Sequence, residues 1–303
     1  MSDLVDAQAV AAGPDAATAP TLDTGTGTET TRPTRRRRRR DLVDYVGPAL
    51  AFCVFLAVWY VMHYWALRAI WDKPRFLVPP PHTVINESFF DTERLTEMLR
   101  ATRFTAYISL IGLGIAIVIG TILAVAMAQA RWLERSAWPY LVALQAIPII
   151  ALTPLIGSIW GTGPVGRTVV CVLIAMFPIV ANTLFGLLSA DRGQHDLFTL
   201  RKASRSTRML RLQFPAALPA IFAGYRIAAG LSVIGAIVGE LFFRRGEKGI
   251  GILLADYRSQ NQVPEAYGAM ILTAALGISL FVAFGWLSQL VVGKWHESTR
   301  RTG

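Results

Sequence analysis

The side chains that could do chemistry in this 303-residue chain do not form a catalytic set. Its histidines stand on four different segments, and no pair has the spacing of a metal site or of a base beside a nucleophile. They are His63, His82, His195 and His296. Cys53 and Cys171 both lie inside apolar stretches, where a free cysteine usually behaves as a small hydrophobe. The residues therefore predict neither a metal site nor an enzymatic reaction, and they indicate no cofactor.

Nucleotide-binding motifs give the same result. The stretch Gly161-Thr-Gly-Pro-Val-Gly166 matches the GxGxxG spacing, but it follows an apolar span instead of a strand and contains a proline. It is more typical of an external turn. The GxxxxGK(S/T) pattern of a P-loop does not occur in the sequence, so this polypeptide does not bind ATP through one.

Polar side chains inside or at the ends of apolar segments are the remaining candidates: Gln145, Asn182, Arg226, Glu240 and Gln289. A charge inside a bilayer is costly unless it is paired or faces water. Arg226 and Glu240 stand fourteen positions apart, roughly 21 Å along a helix, so they do not pair directly on one helix. Two interpretations stay open: residues of a transport pathway, or side chains that reach the interface or bond between helices. The position of both charges near the predicted interfaces favours the second.

The apolar segments that position these residues are long enough to cross a bilayer. The chain is 53% hydrophobic and 17% charged, whereas a soluble domain carries about a quarter charged residues. Windows of roughly 20 apolar residues are candidate membrane helices, because only a helix satisfies its own backbone in lipid. Six such windows occur, at 45–67, 106–130, 137–159, 165–188, 216–243 and 268–292. The predicted fold class is all-α: an integral membrane bundle of about six transmembrane helices.

Prolines interrupt the third and fourth predicted spans at Pro148, Pro154 and Pro178. A proline in a membrane helix often marks a kink beside a cavity. We therefore expect these two spans to be irregular.

Basic residues next to the spans predict the orientation. Six arginines, 35–40, precede the first span and place the amino terminus in the cytoplasm, and six crossings return the carboxyl end to the same side. The net charge of +10 could suggest nucleic acid. Because the charge is clustered beside the spans, it indicates orientation and attraction to anionic lipid instead. We expect a disordered basic tail at 1–44, a transmembrane domain at 45–295 and a cytoplasmic tail at 296–303.

Two segments are predicted to lie on the outer face. The amphipathic run 83–103 is expected to form a short helix along that face. After the fifth span, Gly246-Glu-Lys-Gly-Ile-Gly251 indicates a turn before another short helix.

The fifth span carries a small-residue motif, Gly235-Ala-Ile-Val-Gly239, that matches GxxxG. Small residues let two helices approach closely. The motif fits contact with a second copy of the chain or packing within one chain, and the spacing alone does not choose.

The loop 191–219 between the fourth and fifth spans is polar and strongly basic. Two short helices are expected around 203–207, with Ser204 or Ser206 capping the second, and with Pro215 and Pro219 as a hinge into the next span. The loop interleaves basic residues, Arg201, Lys202, Arg205, Arg208 and Arg211, with the apolar Leu197, Leu200, Met209 and Leu212. It is either a solvated, lipid-attracted segment or a docking element for a soluble partner, and the pattern favours docking.

Stretches around this loop share a known family pattern. Gln145-Ala-Ile-Pro148 precedes the loop, and Phe214-Pro-Ala-Ala-Leu-Pro219 ends it. Ile221-Phe-Ala-Gly-Tyr-Arg-Ile-Ala-Ala-Gly230 and Val238-Gly-Glu240 follow. From about residue 45 to residue 295, the chain resembles the inner-membrane permeases of binding-protein-dependent ABC importers, in their nitrate/sulfonate/taurine branch.

The core of the loop departs from the family pattern, which is close to E-A-A-x3-G. Here the acidic triplet is Asp196-Leu197-Phe198, and Lys202 holds the glycine position. Glycine makes a turn between two short helices more cheaply than lysine does. The aspartate keeps the acidic position, so an ion pair with an ATPase subunit stays available.

The resemblance implies a transport subunit of the bacterial cytoplasmic membrane that is not itself an enzyme. It implies two copies of the permease forming one pathway, an ATP-binding cassette subunit that hydrolyses ATP, and an extracytoplasmic solute-binding protein. The imported solute would be small: nitrate-, sulfonate- or taurine-like, or heteroaromatic. A self-sufficient secondary transporter or channel is the alternative. It predicts inverted repeats and paired charges near the midplane, and the sequence shows neither.

The resemblance also implies two sets of site residues. Coupling to the ATPase would involve Asp196, Lys202, Ala203, Arg205, Arg208 and Pro215. The substrate pathway would involve Gln145, Pro148, Asn182, Arg226 and Glu240.

Overall fold

The computed structural model describes residues 37–293, with side chains from residue 46 onward. The predicted tail at 296–303 lies outside the described residues, as does the predicted tail at 1–44 except for 37–44, which are helical. The chain divides into two units, Met1–Cys53 and Val54–Gly303. The described part of the first unit is helical, and the candidate sites all lie in the second.

Ten helices account for nearly all of the described residues. They are α1 (Arg37–Val61, continued by a π turn at Met62–Ala66), α2 (Pro81–Ile85), α3 (Thr92–Gln129), α4 (Arg131–Ala146), α5 (Ile149–Trp160), α6 (Pro164–Leu188), α7 (Arg192–Leu200), α8 (Arg205–Phe242), α9 (Ile250–Ser259) and α10 (Val263–Val292). The predicted all-α class is confirmed.

Five helical stretches are long and apolar enough to cross a membrane, or six if one bent pair counts as a span. The five are Val46–Ala69, Thr92–Gln129, Pro164–Leu188, Arg205–Phe242 and Val263–Val292. With the bent pair counted as one span, their number agrees with the six spans that the sequence predicts.

The third predicted span is the bent pair, and it is not one continuous helix. α4 and α5 meet at an angle of 102°. The break falls at Ile147, whose ψ of 124° is extended, because a residue before proline is disfavoured in the α region. Of the three prolines expected to disturb these spans, Pro148 breaks the chain direction, whereas Pro154 and Pro178 lie inside continuous helices.

Pro154 is tolerated because its missing hydrogen bond is replaced locally. A proline lacks the N–H that would bond the carbonyl four residues earlier, here that of Ile150. The Thr153 hydroxyl donates to the Ile150 carbonyl at 2.7 Å. A side chain therefore satisfies the acceptor that the proline leaves free, as membrane helices require.

The predicted outer helix at 83–103 is only partly correct. α2 and a π turn, Asn86–Phe90, form a separate short helical segment. Asp91 then caps a new helix by accepting from the backbone N–H of Glu93 at 3.0 Å. Because nothing interrupts the chain after this cap, the remainder of the run is the beginning of the 38-residue α3.

The predicted turns around the glycine-rich stretches are confirmed. Gly161 adopts a φ of +80° between α5 and α6, and Pro164 begins α6, the helix position that proline favours. Gly246 has a φ of +96° ahead of the short helix α9.

Glycines bring α6 and α8 into close contact. A Cβ on Gly235 would lie 2.8 Å from the Cα of Cys171, and one on Gly239 would lie 2.9 Å from the Cα of Arg167. The GxxxG motif therefore packs within one chain, which decides between the two alternatives left open by its spacing.

Candidate coupling, pathway and outer-end sites

The turn between α7 and α8 has a lysine in a position that usually takes glycine. Lys202 adopts a φ of +50°. The N–H of Ala203 donates to the carbonyl of Phe198 at 3.0 Å, and the N–H of Lys202 donates to that of Thr199 at 2.9 Å. These two bonds make a Schellman motif with lysine at its left-handed residue. The departure from the family pattern thus keeps the turn and costs conformational strain.

Two side-chain contacts fix this turn further. Ser204 caps α8 by accepting from the N–H of Thr207 at 3.2 Å, which selects Ser204 from the two predicted caps. The Arg208 guanidinium donates to the Thr199 hydroxyl of α7 at 3.0 Å. α7 is therefore held against the first turn of α8.

The apolar residues of this loop separate into two groups. Met209 and Leu212 are buried, and Met209 packs with Leu187 and Ile221 of the membrane helices. On α7, in contrast, Leu197 and Leu200 are 60% and 80% exposed. We call residues 192–213 the coupling segment: one part is anchored in the bundle, and the other presents apolar side chains to the exterior.

The expected hinge at Pro215 and Pro219 does not occur. The helix is continuous from Arg205 to Phe242, and both prolines lie within it. A π turn at Met209–Gln213 immediately precedes Pro215. π turns are local adjustments that accommodate a lost backbone bond, so the chain direction continues instead of breaking.

The break between α4 and α5 lines a cavity of about 290 Å³. It brings together Gln145 and Pro148 with Leu173, Phe177, Pro178 and Leu231. Among its lining residues, all within the described part of the chain, Gln145 alone has a polar side chain. Gln145 and Pro148 are exposed on the single chain, so the cavity is open on one side.

The other predicted pathway residues do not line this cavity. The Asn182 amide donates to the Pro178 carbonyl of its own helix at 2.8 Å, one turn away from the cavity. The Arg226 guanidinium lies 3.9 Å from the ring centre of Phe281 on α10, a cation–π contact.

Glu240 is fully buried at the far end of α8, so of the two expected alternatives to a pathway role it does not reach the interface but bonds between helices. Its carboxylate accepts from the Thr105 hydroxyl of α3 and from the N–H of Gly251, both at 2.8 Å. Thr105 in turn accepts from the N–H of Ile250 at 2.9 Å. The first N–H groups of a helix have no partners within it, so the beginning of α9 attracts this carboxylate. The interhelical hydrogen bond is the interpretation that the structure supports.

Arg167 is a second buried charge, which the residue pattern did not predict. Its side chain is fully buried near the beginning of α6. It donates to the carbonyls of Phe243 at 2.8 Å, Glu247 at 2.8 Å and Arg245 at 2.9 Å. A lone arginine in an apolar span just after a glycine-rich turn was the available signal.

A polar depression of about 470 Å³ lies between the beginning of α3 and α9. Lys248 pairs with Asp256 at 2.9 Å, and this hydrogen bond raises the pKa of the lysine. Burial and then the bond to Glu97 at 3.0 Å raise the pKa of the Tyr257 phenol, which therefore stays a donor. Two pairs of polar side chains in this depression are therefore bonded to each other within the chain.

Known proteins resemble most of this chain. Residues 116–296 match the family described as "Binding-protein-dependent transport system inner membrane component". The chain is 32% identical to the formylaminopyrimidine transport permease protein ThiX of Halalkalibacterium halodurans, over 82% of this chain and 96% of that protein. It is 26% identical to the nitrate import permease protein NrtB of a Synechocystis species, over 85% and 95%.

A solved structure supports the fold. The match is to the crystal structure of an amino acid ABC transporter with histidines, with a TM-score of 0.54 and 14% identity, covering 68% of this chain and 98% of that one. At this identity the likeness concerns the fold alone. With the family match and the permease relatives, the sequence resemblance is confirmed: the chain belongs to the binding-protein-dependent transport system inner membrane components, the permease subunits of ABC importers, which are not themselves enzymes.

Proposed function

We propose that this permease couples an ATP-binding subunit to the transport pathway through the coupling segment. The observation that carries the proposal is the exposure of Leu197 and Leu200 on a short helix that is fixed to a membrane helix. Exposed leucines beside basic residues on a rigid element are typical of a protein interface. The partner that the family supplies for this face is the ATP-binding subunit.

The coupling segment is joined rigidly to a long membrane helix. The Schellman turn and the bond from Arg208 to Thr199 hold α7 against α8. α8 then continues without a break for 38 residues. A force applied to α7 is therefore transmitted along a single helix to the opposite end of the bundle.

The predicted coupling residues form two groups: residues that contact the ATP-binding subunit and residues that fix the geometry of the turn. Asp196, Lys202 and Arg205 are exposed, and we assign them to contact with the ATP-binding subunit. Arg208 and Ala203 form bonds of the turn, and we assign them to its geometry. Pro215, which follows the π turn, belongs to the same structural group.

We further propose that a second copy of the chain completes the pathway. Gln145 and Pro148 line the cavity, yet both are exposed on a single chain. An amide facing lipid within a span is costly, and a second copy would cover it. The family also supplies an extracytoplasmic solute-binding protein that delivers the solute.

The substrate that fits the cavity best is a small uncharged heteroaromatic molecule. The lining residues include no ionisable side chain, and an anion moved into a site with only one amide as donor is strongly disfavoured. Phe177 offers a ring face and Gln145 offers both a donor and an acceptor. Apolar cavities with a few polar groups are typical small-molecule sites. The higher identity to a permease named for formylaminopyrimidine than to one named for nitrate, 32% against 26%, supports this choice.

The coupling proposal is tested by the double variant Leu197→Asp/Leu200→Asp. We expect the ATP-binding subunit to be lost on purification in detergent while the permease keeps its helix content by circular dichroism. Phe90→Asp is the matched control, since Phe90 is 77% exposed outside the coupling segment. Retention of the ATP-binding subunit by the double variant contradicts the proposal.

The substrate proposal is tested with Gln145→Leu in vesicles that contain the assembled importer, ATP and the solute-binding protein. Uptake of labelled formylaminopyrimidine should fall in the variant, and unlabelled nitrate should not compete with it. Competition by nitrate or by an alkanesulfonate contradicts the choice of an uncharged ring and leaves the coupling proposal in place.

A further inference from the structure

We propose that Arg167 and Glu240 are positioning residues for transport. Together they clamp α9 and the segment 243–249 that precedes it to the bundle, so that α9 moves with α8 when the ATP-binding subunit acts. The inference rests on the proposed coupling function, because it concerns where a movement of α8 arrives.

Arg167 fixes the chain that leaves α8. Its three hydrogen bonds go to the carbonyls of Phe243, Arg245 and Glu247, at 2.8–2.9 Å. They satisfy alternate carbonyls of the segment that follows α8, which is not helical and therefore has no helical partners for these acceptors. A fully buried guanidinium has these carbonyls as its partners in place of water, so α6 holds the segment 243–247 rigidly.

Glu240 fixes the beginning of α9 from a different helix. It binds the N–H of Gly251 directly and binds Thr105, which receives the N–H of Ile250. These are the first two N–H groups of α9, and a negative charge at a helix N-terminus is favourable. Glu240 and Thr105 therefore act as a cap that is supplied by α8 and α3 together.

The glycines in this region show how closely the clamp is packed. A Cβ on Gly249 would overlap the Glu240 carboxylate, and one on Gly251 would lie 3.0 Å from its Oε2 atom. The backbone of α9 can approach the carboxylate only because both positions lack a side chain.

Apolar packing holds the other side of α9. Ile250, Leu253 and Tyr257 belong to one cluster with residues of α3 and α10, and Ile237 of α8 packs against it. α9 is thus held by packing on α3, α8 and α10 and by the polar bonds of Glu240 and Thr105, while Arg167 of α6 holds the segment before it. The polar bonds add directional links between α8 and α9 to this packing, so a movement of α8 that begins at the coupling segment carries the beginning of α9 with it.

The test uses Thr105→Val, which keeps the shape of the side chain and removes both of its bonds to the clamp. Arg167→Lys is the second variant, since lysine keeps the charge and loses the three-way fork. Thr168→Val is the matched control, because the Thr168 hydroxyl bonds only the Pro164 carbonyl of its own helix. The full chain, assembled with its ATP-binding subunit in nanodiscs, is analysed by hydrogen–deuterium exchange.

Two results are expected without nucleotide. The amides of α9 should exchange about tenfold faster or more in Thr105→Val and Arg167→Lys, since each loses at least two bonds. They should be unchanged in Thr168→Val. Unchanged protection of α9 in both clamp variants overturns the proposal.

Trapping with ATP and vanadate separates positioning from simple stability. In the wild type, the trap should change exchange both in the coupling segment and in α9. In the clamp variants, the response of the coupling segment should persist and the response of α9 should disappear. A response of α9 that survives in the variants, or one that is absent in the wild type, overturns the inference. If the coupling segment of the wild type does not respond, the proposed function itself fails.

Discussion

The two ends of α8 differ in exposure and in hydrogen bonding. Near Arg205 the chain leaves Leu197 and Leu200 of α7 60% and 80% exposed beside charged residues. At the other end Glu240 is fully buried, and its acceptors are used by α3 and α9. One helix thus connects an exposed apolar surface to a site whose hydrogen bonds are formed within the chain.

The difference separates recognition from transmission. An exposed apolar helix beside basic residues gains free energy only when another protein covers it, so its value depends on a partner. Buried charges with hydrogen-bonded partners act without one, since breaking such a set leaves an uncompensated group in a low-dielectric interior. Changes at the first end should therefore affect association, and changes at the second end should affect stability and movement.

The largest effect is expected for Arg167→Met. The variant leaves one buried and two partly buried carbonyls without their donor, so the free energy of unfolding should fall by about 3 kcal/mol. Thermal denaturation of the purified protein in detergent measures the change, and Arg167→Lys should give an intermediate value. A midpoint equal to that of the wild type would show that water replaces the guanidinium and that this end is not closed.

Close packing next to the clamp gives the second effect. Gly239→Ala places a Cβ 2.9 Å from the Cα of Arg167, whereas Gly230→Ala meets nothing within 4 Å. The first should destabilise by about 1–3 kcal/mol through overpacking. The second should be neutral or stabilise by up to about 1 kcal/mol through helix propensity. Equal loss of stability in both would falsify the close approach of α6 and α8.

Local features of this fold could be predicted from the sequence, and the clamp could not. The Ser204 cap and the turn at Gly246 depend on a few neighbouring residues, and both were expected in place. The donors of Arg167 go to main-chain carbonyls 76 to 80 positions away, and a carbonyl carries no residue-type signal. A bond between helices was one of the roles that the sequence left open for Glu240, but its partner could not be predicted because the helix whose N-terminus it caps comes from a separate segment.

The broken third span could also be predicted only in part from the sequence. Three prolines interrupt the two spans concerned, and only Pro148 turns the chain sharply, by 102°. Thr153 supplies a replacement bond at Pro154, a compensation that depends on the rotamer of one side chain. The proline pattern therefore predicts irregularity and not its place.

At the exposed end, Arg205→Glu and Arg208→Glu should behave differently. Arg205 is exposed, so its reversal should weaken association with the ATP-binding subunit severalfold, mainly through the association rate, and more at low salt. Arg208 also bonds Thr199, so its reversal should in addition raise amide exchange in α7. Surface plasmon resonance at two salt concentrations and hydrogen exchange distinguish the two. Identical behaviour would mean that the bond to Thr199 does not shape the segment.

Lys202→Gly should have the smallest effect on stability, and the direction of its effect on affinity for the ATP-binding subunit is informative. A lysine at a φ of +50° is strained by roughly 1 kcal/mol, and glycine removes the strain while adding entropy to the unfolded chain. The turn should therefore be slightly more stable, with slower exchange of the Ala203 amide. If affinity for the ATP-binding subunit then rises, lysine is merely tolerated at this position. If affinity falls although the turn is more stable, the ammonium group of Lys202 contacts the partner. The strained backbone at this position is then retained for binding, and the partner determines the sequence even within the turn.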